Sequence, residues 1–65
     1  MNEVIKKAIN IAGSQYKLAV LCGVKQPTVC RWLHGGGLDA KHVLPIVNST
    51  KGKISAQEIL LSLEP

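Results

Sequence analysis

The stretch from Gln15 to His34, QYKLAVLCGVKQPTVCRWLH, constrains the fold of this chain more than any other. It reads as an apolar helix, a tight turn at Gly23 and a second short helix. Gly23 permits the positive φ of a sharp helix-to-helix turn without steric cost. Pro27 suits a first helical turn, where its missing N–H is not needed. Val29, Trp32 and Leu33 follow i, i+3, i+4 spacing and belong to the core. The other side of that helix then presents Gln26, Pro27, Cys30, Arg31 and His34, with Thr28 at its edge. From the first helix Leu18, Ala19 and Cys22 point inward, and Val24 plugs the turn into the core. Gly35-Gly36-Gly37 stops the second helix and gives a mobile connection.

The flanks read as scaffold. Asn2 caps a first helix, with Glu3 well placed in its opening turn. Val4, Ile5, Ala8, Ile9, Ile11 and Ala12 form its apolar stripe, and Gly13 ends it. The next helix starts at Ser14 or Gln15. Lys17 in its first turn opposes the helix dipole; a nearby phosphate would relieve the conflict, and an exposed lysine tolerates it at little cost. Asp39 caps a fourth helix carrying Val43, Leu44, Ile46 and Val47. Pro45 either kinks that helix or places its start further along. Asn48 to Lys53 reads as a polar loop. Ser55 and Glu58 match a capping box ahead of Ile59, Leu60, Leu61 and Leu63 in a last helix ending near Ser62. Its leucines are either core or an exposed dimer contact. Residues 1–65 form one domain, with no repeat, low-complexity segment or internal boundary.

Size and composition set limits. A 65-residue chain holds a single small core, and such cores rarely supply more than about 3–5 kcal/mol. The 46% hydrophobic content, with no Phe and one Trp, suits small helices packed through Leu, Ile, Val and Ala. Cys22 and Cys30 are too few for a disulfide framework. The chain has no signal-peptide pattern, and its longest strongly apolar run, Leu18 to Cys22, is far short of a membrane span. A cytoplasmic protein with reduced thiols and no membrane partner is expected.

Charge is uneven. The formal net charge is +4. Residues 1–38 set Glu3 against Lys6, Lys7, Lys17, Lys25 and Arg31, while residues 39–65 balance. No acidic residue lies between Val4 and Leu38. A basic window around two short helices suits a polyanion, although a solvated face accounts for the charge equally simply.

Gln15 to Leu33 resembles the helix-turn-helix of the Cro/CI-type phage repressor family. The segment GSQYKLAVLCGVKQPTVCRWL, Gly13 to Leu33, is especially similar to small YdaS-type, Cro-like prophage regulators, whose members are also described as antitoxins. The pattern resides in Ala19, Gly23, Val24, Val29 and Trp32, and continues weakly through Lys51 to Glu58. The resemblance implies an all-α, lambda-repressor-like bundle of about five short helices whose third helix enters the major groove. It also implies homodimers on half-sites about 34 Å apart. By position, Gln26, Thr28 and Arg31 would meet base edges or nearby phosphates, and Gln15, Lys17 and Lys25 the DNA backbone. Pro27 and His34 complete that side. Val20 and Leu21 depart from the family, standing where polar residues are usual, and Cys30 lies on the presumed DNA side.

Arg31 is the main specificity candidate, since guanidinium bonds guanine O6 and N7 together; a phosphate contact is the simpler role. Gln26 reads adenine, grips phosphate or caps its helix. Thr28 meets a phosphate or a thymine methyl, and Lys25 a phosphate. Trp32 is core rather than a stacking platform. Cys22, Cys30, His34 and His42 do not have zinc-finger spacing. No nucleophile–base pair or P-loop is present, so neither an enzyme nor a cofactor is expected. The expected function is a sequence-specific DNA-binding repressor on a palindromic operator. The rival is an antitoxin that neutralises a toxin or other protein partner through Val20, Leu21 or the C-terminal leucines.

Overall fold

Side-chain caps from Asn2, Ser14 and Ser55 each open a helix. The computed structural model describes residues 1–63. Helix α1 spans Glu3–Ala12, and Asn2 caps it by accepting the Ile5 N–H through Oδ1 at 3.0 Å. Gly13, at φ 112°, ends it. Helix α2 spans Gln15–Cys22, capped by Ser14, whose Oγ accepts the Lys17 N–H at 3.0 Å. Gly23 adopts φ 71° and turns the chain, as expected. Helix α3 spans Gln26–Leu33, with Pro27 in its first turn. A 3₁₀ turn at Ala40–His42 leads into α4, Val43–Ser49, and α5 spans Ala56–Ser62. Ser55 and Glu58 close the expected capping box from both sides.

The core draws on every helix. Ile5 and Ala8 come from α1, Leu18 and Ala19 from α2, and Val29, Trp32 and Leu33 from α3. Val43 and Ile46 of α4, Ile54 and Ile59 complete it. Val24 and Cys22 are half-buried against this cluster. Helix α2 packs against α1, α3 and α4, and α5 closes the far side against α1 and α4. Asn2 ties three helices together. Beyond capping α1, its backbone N–H donates to the Leu33 carbonyl at 2.7 Å and its Nδ2 to Ser62 Oγ at 3.2 Å.

Two readings of the second half need correction. Asp39 does not cap α4; it precedes the 3₁₀ turn and its side chain makes no capping bond. With α4 starting at Val43, Pro45 lies in the first turn, where N–H groups have no intrahelical partner, so it needs no kink. Nor is Asn48 to Lys53 all polar loop. Asn48 and Ser49 finish α4, and Thr50 is fully buried, its Oγ1 donating to the Val47 carbonyl at 3.0 Å. That internal bond satisfies the hydroxyl and lets a polar residue join the core. No described helix is long and apolar enough to cross a membrane.

Candidate nucleic-acid interface

Burial of Val29, Trp32 and Leu33 turns the opposite side of α3 to solvent. Pro27, Arg31 and His34 are exposed at its centre. Gln26 is exposed on one flank, and Thr28 is half-buried on the other. Lys25 is exposed at the start of the helix and caps it without a side-chain bond. No acidic side chain among the described residues pairs with Arg31, Lys25 or Lys17; the ion pair present, Lys7 to Glu58 at 3.9 Å, lies elsewhere. These cations are therefore available to an external anion.

The two helices are joined at their N-terminal ends. Gln26 Nε2 donates to Gln15 Oε1 at 2.7 Å. This bond fixes the Gln26 amide and places Gln15 beside the start of α3. Lys17 is not gathered there. Its stem folds back across Gly13, where a Cβ would meet Lys17 Cδ at 3.2 Å. At the other end His34 Nδ1 lies 2.9 Å from the Cys30 carbonyl and 3.8 Å from Cys30 Sγ, which ties the imidazole to its own helix.

The glycine loop also belongs to this surface. The Gly36 N–H donates to the Arg31 carbonyl at 2.9 Å. This bond closes the C-terminal end of α3, so the glycines stop the helix as expected. Behind the surface, the Trp32 ring stacks obliquely on His42, centroids 5.2 Å apart. Trp32 Nε1 and His42 Nδ1 are buried without a protein partner among the described residues.

Cys22 faces the end of α4, its Sγ 3.8 Å from Ser49 Oγ. Burial pushes its thiol pKa up, and the Ser49 hydroxyl opposes that shift. Cys22 and Cys30 are both free thiols, and no three metal-ligating side chains converge among the described residues.

Sequence reasoning missed the Gln15–Gln26 bond and the Arg31–glycine contact. The first had a signal, since each glutamine opens its own helix. The second had none.

A family model described as bacterial toxin YdaS matches residues 5–61. The chain belongs to the YdaS family. No curated protein and no solved structure matches it. The match spans all five helices and agrees with the resemblance carried by Gly13 to Leu33.

Proposed function

We propose that this YdaS-family chain is a sequence-specific DNA-binding regulator, a Cro-like prophage repressor that acts as a homodimer on operator DNA. The carrying observation is the outward side of α3. Arg31 and Gln26 are exposed there, Thr28 lies at the edge, Lys25 stands at the helix start, and Gln15 braces Gln26. An α-helix of this kind fits the major groove, where Arg and Gln can make paired bonds to guanine and adenine. Lys25 and Gln15 serve as phosphate contacts, Lys17 joins them once its stem leaves Gly13, and Pro27 and His34 flank Arg31 at the centre of the face. The protein would work in the cytoplasm by occupancy, its bound helix excluding polymerase. It uses no cofactor and performs no catalysis.

Pairing is assigned to α5. Leu60, Leu61 and Leu63 are exposed there, while Ile59 fills the core position. The half of the chain that carries them is electrically balanced, so two copies can approach without like-charge repulsion. Selection from a random pool of duplex DNA tests the reading. A palindromic consensus is expected, with Arg31→Ala relaxing one position in each half-site. Recovery of no consensus would overturn it.

A second reading rests on the outer side of α2. Tyr16, Val20 and Leu21 are exposed and, with Ala12 and Lys17, line a shallow apolar groove. Such a surface favours a protein partner, as in an antitoxin neutralising a toxin. The matched family is described as a bacterial toxin, which supports this second role among toxin–antitoxin proteins without naming a partner. Co-purification with the product of a neighbouring gene, undisturbed by DNA, would favour this second role.

A further inference from the structure

We propose that Gly37 positions Arg31 for base reading, an inference that rests on α3 being the DNA-reading helix. Gly37 lies beneath the arginine stem. A Cβ at Gly37 would stand 3.1 Å from Arg31 Cδ, 3.8 Å from Cγ and 3.9 Å from Nη1. The first distance is tighter than most packed contacts, so a side chain there pushes the Arg31 stem aside by a few tenths of an ångström.

Its positive φ already favours glycine at position 37, and the contact with the arginine stem adds a second constraint. Gly23, Gly35 and Gly52 also have positive φ, and a Cβ on any of them would meet nothing within 4 Å. Gly37 combines φ +72° with the arginine contact. Gly36 contributes differently. A Cβ there would make ordinary contact with Arg31 Cγ at 3.6 Å, and its backbone N–H holds the Arg31 carbonyl. The bare loop is therefore a platform across which the aliphatic stem lies. It restricts the rotamers of an exposed side chain that otherwise loses much freedom on binding. The same relation recurs at Gly13, which lies under the stem of Lys17.

The test uses Gly37→Asn, because Asn tolerates a left-handed backbone and so separates the side-chain clash from backbone strain. Gly52→Asn is the control, since Gly52 shares the positive φ and a Cβ there meets nothing within 4 Å. Affinities are measured on the selected duplex and on duplexes changed at single base pairs, for the wild type, each variant, Arg31→Ala and the double variant. Gly37→Asn should lose discrimination on the order of tenfold at the base pair that Arg31→Ala relaxes, and at no other. It should add nothing in the Arg31→Ala background, and Gly52→Asn should discriminate as wild type. In the free wild-type protein, proton NMR should show contacts between the Arg31 Cγ and Cδ hydrogens and the Gly37 Hα.

Unchanged discrimination in Gly37→Asn overturns the inference. So does a loss equal at all positions, a loss that persists without Arg31, or absence of the NMR contacts. A wild-type chain with no sequence preference overturns the DNA reading itself and the inference with it, an outcome visible before any variant is made.

Discussion

Arg31 and Trp32 are neighbours with opposite fates, and their contrast shows what decides a residue's role here. Trp32 is 1% exposed, and truncating such a ring costs about 3–5 kcal/mol. That equals the about 3–5 kcal/mol available to a core of this size. Trp32→Ala should therefore be largely unfolded at room temperature, read as loss of helical circular dichroism. Arg31→Ala should leave the melting temperature nearly unchanged while abolishing discrimination at one base pair. Cys22 offers a pH prediction. Its thiol pKa is raised in the folded state by burial, so the unfolded chain releases that proton first. Its contribution to stability is complete below the ordinary thiol value and is lost as pH rises through the folded value. Wild type should lose stability more steeply than Cys22→Ala as pH rises above the ordinary thiol value of about 8.5; equal slopes would contradict this assignment. Spacing alone identified Trp32 as core and Arg31 as exposed. It could not show Gln26 bonded to Gln15, which depends on how α2 packs on α3, or Arg31 lying over Gly37, which depends on the path the glycines take after α3.

At the scale of elements, caps and breakers explain most of the layout. Asn2, Ser14 and Ser55 each accept an N–H at the start of a helix, and Gly13 and Gly23 end helices in the left-handed conformation. These signals are local, which is why α1, α2, α3 and α5 were legible in the residues. Helix α4 was not. Asp39 resembled a cap, yet the chain uses a 3₁₀ turn first, and Pro45 marks the true first turn. Thr50 misled because its hydroxyl bonds to its own backbone, which a polarity pattern does not register. Ser55→Ala should cost about 1 kcal/mol and lower the melting temperature by about 4–8 °C. No change in the thermal melt would show that the capping box contributes nothing.

The described residues measure 27 × 23 × 20 Å, and the proposed homodimer would have to hold its two α3 helices about 34 Å apart, one turn of DNA. Among the described residues, exposed apolar side chains group on α5 and on α2, with Leu44 exposed singly on α4. Assigning self-pairing to α5 predicts that Leu61→Glu yields a monomer by analytical ultracentrifugation and weakens operator binding, whereas Leu21→Glu leaves dimerisation intact. The reverse result would transfer the pairing role to α2. The positive charge of the first half frames the electrostatic account. Binding that neutralises phosphates releases counterions, so log affinity should fall linearly with log salt. The decisive measurement is a titration of labelled operator duplex at several salt concentrations with wild type and Lys25→Ala. A steep linear fall is predicted, with Lys25→Ala lowering the slope by about one; flat salt dependence would contradict the claim that α3 and its flanking cations dock on DNA.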